Sequence, residues 1–457
     1  MNPSSIHALL NANALLPQCG RRSYGKLLCV LAFVNAWSAS WRSQAAKLDG
    51  YTPAKKAIAM AAAGQLNMTE QTLFDAFCPV DADSILTLEA AQALLPPLYA
   101  ALNQLAAANP TLQGVFQAWH FIHLQSTYTQ AKAKPHTLAK VIAYMGQVKI
   151  EHPVPSLAGA QEFGKLMATT CQNNPITACG TAALMAQLIN PQPNDVVVDF
   201  VCGPGNLLLA CAAHLAQTQP GAALHLHGMV QDLDDWGLAK MWLALAGQPH
   251  HAIQQRNALT GSFKDFSEPE KKLALCGANV VVMVVPAHFT PWGHALAFEE
   301  QDPRFKVRPP IDSRLALAWI GLAAMNPNGG RMALLIPTNA FLALGNLELR
   351  KHMVALNWLD AVITLPGIDG YVLLMLHTQK VHTHIGFIQT KCPITSDTDD
   401  DILAVLDAWQ HYQTGAAHPS VVKIARETVA TNHYEFDVKR YAASATMHHA
   451  EVLEENA

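Results

Sequence analysis

Residues 196–209 read Val-Val-Val-Asp-Phe-Val-Cys-Gly-Pro-Gly-Asn-Leu-Leu-Leu. Three β-branched residues run into Asp199, a turn carries Gly203 and Gly205, and an apolar run opens after it. The order predicts a strand, a glycine loop and a helix N-terminus. Such a loop lets a nucleotide-like ligand approach the backbone closely. A carboxylate at the strand end suits ligand hydroxyls or an amino group and repels a phosphate, which favours S-adenosylmethionine (SAM) over NAD or ATP. The glycines alone would fit a bare structural turn equally well, so the surrounding chain has to decide.

Outward from this loop, strand-like runs alternate with helical segments. Val196–Phe200, Leu224–Val230, Val280–Val285, Met332–Ile336 and Leu359–Leu365 read as strands, with helices over 206–216, 235–246, 314–325 and 347–356. Alternation of this kind predicts an α/β domain with a doubly wound, mostly parallel sheet, whose ligands sit at the carboxyl ends of the strands. After Leu376 a short strand pair, an acidic turn (Asp397–Asp401), a helix (Ile402–Tyr412) and a tail are expected. Upstream, residues 1–150 read as helices: Ile6–Leu16, Lys26–Arg42, Ala54–Gly64, Leu88–Ala108, Thr111–His123 and Leu138–Gln147. The expected division is a helical bundle over 1–150, the α/β domain over 151–385 and a C-terminal extension over 386–457.

The 457 residues are 51% hydrophobic and 14% charged, which describes a globular chain with substantial cores. A net charge of −4 argues against autonomous, tight, non-specific DNA binding, so a partner would have to supply much of any grip on nucleic acid. The 9 cysteines form no Cys-x-x-Cys pair, consistent with a reducing cytoplasm. His225/His227, His250/His251 and His448/His449 lack partners at ligand spacing, and no metal site is expected. The apolar stretch Leu27–Trp37 is too short to span a bilayer and reads as a buried helix.

In order along the chain these segments resemble the adenine-specific DNA methyltransferases, most closely the methylation subunit of type I restriction-modification systems. Asp199-Phe-Val-Cys202-Gly203-Pro-Gly205-Asn-Leu-Leu208 resembles that family's Asp-Pro-x-Cys-Gly-x-Gly-x-x-Leu signature. Asn174-Pro175 stands where the family has Thr-Pro leading into a SAM-contacting helix. Asp302-Pro-Arg304-Phe305 followed by Pro309-Pro310, Gly329-Gly330-Arg331 through Pro337, Val362-Ile-Thr-Leu365-Pro366, and Asn432-His-Tyr434 through Arg440-Tyr441 match later segments. The resemblance implies a class I SAM-dependent methyltransferase fold (Rossmann-like) with a helical N-terminal domain. It also implies SAM as cofactor, DNA reached through a complex, a protein partner such as a specificity subunit, and a cytoplasmic protein with no membrane anchor.

The same resemblance exposes departures. The family's Asn-Pro-Pro-Phe/Tyr motif holds a flipped-out adenine, the Asn accepting from its amine while an aromatic ring stacks on the base. Here the place reads Val285-Pro286-Ala287-His288-Phe289. Valine accepts nothing, and losing such a contact costs about 2–4 kcal/mol of transition-state stabilisation. Pro286, His288 and Phe289 are the remaining candidates for the reacting end. The acid that would clamp the SAM ribose falls at Val230, with Asp232 on the same strand face two residues on, and the usual adenine-binding Asp is Asn257. The implied cofactor-binding set is Asn174, Asp199, Cys202, Gly203, Gly205, Asp232 and Asn257. The expectation is a methyltransferase-like subunit of a DNA modification, defence or mobile-element complex with impaired catalysis, a pseudoenzyme. The alternatives are an active methylation subunit that needs a specificity partner, and an interaction module with a closed SAM pocket. Met229, Met241 and Trp242 are expected to pack, Lys351 and His352 to form a solvated helix face, and Arg304, Lys306 and Arg308 to lie in a solvated loop or touch phosphate.

Overall fold

The computed structural model describes residues 21–76, 78, 93, 95–116, 135–148, 152–170, 179–248, 252–260, 277–299, 301–343, 347–365, 370–389, 399–437 and 441. Two compact units emerge, one of Met1–Pro175 with Gly203–Gly205 and Asp232–Ile253, the other of Ile176–Cys202, Asn206–Gln231 and Gln254–Ala457.

The first unit is helical. Its members are α1 (Arg21–Lys47), α2 (Pro53–Ala62), α3 (Leu95–Ala108), α4 (Pro135–Gln147), α5 (Leu157–Thr170) and α8 (Leu233–Leu245). Leu28–Val34 of α1 are buried to within 1% exposure, so the apolar stretch is a bundle core. Among the described residues no helix is long and apolar enough to cross a membrane. Gly164 of α5 leaves room for the Trp242 ring of α8, whose Nε1 donates to the Ala160 carbonyl at 2.6 Å. Met241 and Trp242 are buried packing groups, as expected. The expected helix Ile6–Leu16 lies outside the described residues, and the described part of Thr111–His123 is the end of a 3-10 turn (Pro110–Leu112) and further turns rather than α-helix.

The second unit is built on a nine-stranded sheet of order β3-β2-β1-β4-β5-β7-β6-β8-β9. The strands are β1 (Val196–Asp199), β2 (His225–Val230), β3 (Ile253–Gln255), β4 (Val280–Val284), β5 (Arg331–Pro337), β6 (Leu359–Thr364), β7 (Tyr371–His377), β8 (His384–Gln389) and β9 (Val421–Ala425). Its helices are α6 (Cys179–Ile189), α7 (Asn206–Thr218), α9 (His294–Glu299), α10 (Ser313–Ala324), α11 (Thr338–Phe341), α12 (Leu347–Ala355), α13 (Asp399–Thr414) and α14 (Arg426–Thr431). β1 pairs in parallel with β2 and β4, and β4 with β5. Every residue of β4 is buried, because helices cover both faces of a parallel sheet. Val281 and Met283, together with Val285 just past the strand, join one apolar core with α10 and α12, while Val280 and Val282 face the other way.

Strand β7 departs from the expected alternation. It begins at Tyr371, before the strand pair expected after Leu376, and lies antiparallel between β5 and β6. β7 follows β6 in the element order and pairs antiparallel with it, an arrangement that a period-based reading of strand and helix cannot distinguish from a further parallel step. β9 closes the edge antiparallel to β8, with α13 between them in sequence. α13 begins at Asp399, so the segment expected as an acidic turn already belongs to the helix. Met229 is core, as expected, whereas His352 is half-buried: its ring lies 4.7 Å from Trp319 and 6.3 Å from Trp358, and burial lowers its pKa. Lys351 does face solvent, paired with Glu348 at 3.0 Å.

Candidate functional site

The direction of the chain reverses at β1 and β4. From β1 the chain moves outward to β2, and from β4 it moves the other way to β5, so the carboxyl ends of this adjacent pair form the switch point at which doubly wound sheets bind ligands. Asp199 ends β1, and Pro286 follows β4 by two residues.

Asp199 is 2% exposed, and its Oδ1 accepts the Val201 N–H at 3.0 Å. Burial pushes its carboxyl up to about 7, with the Val201 hydrogen bond pulling slightly back. The folded chain therefore keeps this proton well above the pH at which an unfolded aspartate releases it. The stability this group contributes is complete below about pH 4 and is lost as pH rises through 7. Asp199→Asn keeps the acceptor for Val201 and removes the charge. It is expected to melt like the native chain at pH 4 and to be more stable by on the order of 2 kcal/mol at pH 8. Equal stability of the two chains in denaturant titrations at pH 8 would sink this reading of Asp199.

Cys202 is buried, and its N–H donates to the Met229 carbonyl at 3.0 Å, tying the loop after β1 to the end of β2. Within the first unit, Gly203 (φ 49°) and Gly205 (φ 93°) hold left-handed backbone, which explains both glycines. A Cβ on Gly203 would meet nothing within 4 Å, so backbone conformation, not crowding, selects glycine there.

The longer strand expected to carry Asp232 does not form. β2 stops at Val230, which is buried, and Asp232 does not extend it. Asp232 is instead the exposed N-cap of α8, its Oδ1 accepting the Asp235 N–H at 2.9 Å. Asn257 follows β3, and its Oδ1 accepts the Leu259 N–H at 2.9 Å in a local turn. Asn174 lies outside the described residues. Asp199 thus places a buried carboxyl at the end of β1, and Val230 places a buried apolar side chain at the end of β2.

Val285 is 0% exposed in the apolar core, and its N–H donates to Leu335 at 2.8 Å. Pro286, Ala287, His288 and Phe289 are all exposed, Phe289 at 47%. The loop is held from below: Arg314 grips Asp312 through Nε and Nη2 and donates from Nη1 to the Ala287 carbonyl and Asn339 Oδ1, both at 3.2 Å. Beside it opens a cleft of about 610 Å³ lined by Ala287, Pro337, Thr338, Asn339, Ala343 and Tyr371 among others. A smaller neighbour of about 270 Å³ shares Thr338, Leu342 and Tyr371 and adds Thr364, Gln389 and Asp437. Tyr371, Asn339 and Arg314 carry no motif spacing. Tyr371 reaches the cleft only because β7 pairs antiparallel with β5, in register with Pro337.

Arg304 is neither solvated nor at a phosphate-ready surface. It is 4% exposed, its Nε donates to both oxygens of Asp302, and its Nη1 donates to the Ala258 carbonyl at 2.8 Å. One group of side chains among the described residues has cation-ligand geometry, Asp407, His411 and His418. His418 Nδ1 accepts the Ser420 N–H at 3.1 Å, so the neutral ring carries its proton on Nε2 and donates to Asp407 Oδ2. That is a closed hydrogen-bond set, with the His418 lone pair already used. His250, His251, His448 and His449 lie outside the described residues.

The N-6 DNA methylase family profile matches residues 177–450. No curated protein matches the chain. Among solved structures, the chain is similar to the type I restriction-modification methyltransferase subunit from Streptococcus thermophilus. The TM-score is 0.73 at 16% identity, covering 96% of this chain and 99% of that one. It is also similar to a chain from a structure addressing complex assembly and conformational transition of the type I R-M system. There the TM-score is 0.62 at 13% identity, covering 99% of this chain and 96% of that one. At such identities the likeness establishes the fold, an α/β methyltransferase sheet with a helical N-terminal region.

Proposed function

The chain belongs to the N-6 DNA methylase family, and from that premise we propose that it is a methyltransferase-fold subunit of a DNA modification, defence or mobile-element complex in which methyl transfer is impaired. One observation carries the proposal. At the position where the family places an amine-accepting Asn, Val285 is sealed in the core and offers no acceptor. The exposed Phe289 ring still supplies a face on which a base could stack, but stacking holds a base without activating its amine. An adenine amine is a weak nucleophile, and removing one preorganised contact of this kind costs on the order of 10²–10³ in rate.

SAM would be held at Asp199. When bound it supplies the methyl group. Asp199 accepts from its polar donors, whereas the ribose hydroxyls meet no carboxylate from β2, so binding is weakened rather than abolished. The net charge of −4 supports DNA contact through a complex, with a specificity subunit as the partner class. The type I likeness of the solved structures supports the same assignment.

Two measurements test this. Calorimetric titration with SAM should give weak but detectable heat, reduced further in Asp199→Ala, and absence of heat in both chains would favour a closed interaction module instead. A methyl-transfer assay on adenine-containing DNA, with and without added partner subunits, should give no product. Product formation by the purified chain, lost in Pro286→Ala, would overturn the impaired reading.

A further inference from the structure

We propose that the outer edge of β9 takes an added antiparallel strand from a partner polypeptide, an extended segment with an acidic residue between two apolar, β-branched ones. The inference concerns the last strand of the sheet and stands apart from methyl transfer, so neither reading depends on the other.

β9 is paired on one side only, antiparallel to β8. The register fixes which of its backbone groups face outward. The Ser420 carbonyl accepts from the Gln389 N–H at 3.0 Å, and the Arg426 N–H donates to the Thr383 carbonyl at 3.1 Å. His384 stands opposite Ala425 and Ile388 opposite Val421, so Ser420, Val422, Ile424 and Arg426 bond toward β8. Val421, Lys423 and Ala425 turn their backbone groups the other way. The Val421 N–H is taken locally by the His418 carbonyl at 3.0 Å. The Val421 carbonyl, the Lys423 N–H and carbonyl, and the Ala425 N–H remain in one row, and nothing among the described residues bonds to them. Such a row is a template for strand addition.

The side chains of β9 specify the occupant. Lys423 is exposed, its Nζ lies 5.7 Å from the Tyr412 ring centroid, and among the described residues no carboxylate pairs with it. Val422 and Ile424 sit on the opposite face, half-buried against the apolar core. An incoming residue opposite Lys423 exchanges both backbone hydrogen bonds with it and stands its side chain beside the ammonium, which calls for Asp or Glu. The two neighbours of that residue fall opposite Val422 and Ile424 in the closer, non-hydrogen-bonded pairing, where β-branched apolar side chains extend the rim of the core. A second copy of β9 in the same register would set Lys423 against Lys423, and like charges directly opposite disfavour it. The edge thus excludes its own copy and fits an acidic strand.

The test uses the full chain and an acetylated peptide, Thr-Val-Glu-Val-Thr, carrying a C-terminal fluorophore and followed by anisotropy. Binding is expected. Lys423→Glu should weaken it about tenfold and tighten the Thr-Val-Lys-Val-Thr counterpart by a similar factor, because the cross-strand pair changes sign. Methylating the Glu amide nitrogen of the peptide removes the donor to the Lys423 carbonyl and should abolish binding. Methylating the Val amide nitrogens, which face away from β9 in the added strand, should leave it unchanged. No binding by the native chain, or equal binding of the two kinds of methylated peptide, would overturn strand addition. Unchanged affinity in Lys423→Glu would overturn the acidic occupant, as would a dimer of the native chain that the peptide dissociates.

Discussion

Arg304→Ala is expected to destabilise the second unit by about 3–5 kcal/mol, the largest effect of any single change considered for this protein. Arg304 and Asp302 side chains are 5% and 8% exposed, and both oxygens of Asp302 accept from the guanidinium. Removing the cation leaves a buried carboxylate without its charged partner, and takes away a guanidinium that lies 5.8 Å from the Phe305 ring centroid. The change also deletes the donor to the Ala258 carbonyl, which ties the segment after β3 to the loop after β4. Urea unfolding of the single variants and of the Arg304→Ala, Asp302→Ala double variant checks this. The double variant should recover part of the loss, because it no longer buries a lone charge. A surface-like loss below about 1 kcal/mol would show that the pair is solvated.

Val285→Asn comes next, with an expected loss of about 3 kcal/mol and no gain of methyl transfer. On family grounds this substitution restores the missing residue. On structural grounds it places an amide in the apolar cluster that holds Val281, Met283 and Ile336, all buried to 0% exposure. Restoring the letter therefore does not restore the group to the cleft, because the side chain at 285 points into the core behind α10. Thermal melts and the methyl-transfer assay read the two halves separately. A stable, active variant would mean that the end of β4 can rotate to expose residue 285.

These two positions show where sequence reasoning reached and where it stopped. Val285 stood out because a motif expected an acceptor there, but its burial follows from the β4 register. Arg304 was visible as a cation in a matching segment, but its role is set by Asp302 two residues earlier and by Ala258, 46 residues away. Asp232 was on the correct face of an imagined longer strand, yet α8 captured it as an N-cap. Short-range capture of this kind is invisible to spacing, because the end of a strand and the cap of the next helix are set by the same few residues.

The sequence by itself determined the class of the sheet, the strand–loop–helix around Asp199, the identity of the family and the absence of an amide at residue 285. All of these rest on local composition and order, which the period of a strand or helix and the backbone needs of Gly203 and Gly205 impose residue by residue. Only the tertiary structure decided that β7 runs antiparallel beside β5, that Tyr371 lines the cleft, that Arg304 is buried, and that His352 lies near two tryptophans. Those outcomes depend on which distant segments exclude water together. Burial and pairing across the sheet are properties of the packed chain, and no single stretch of residues carries them.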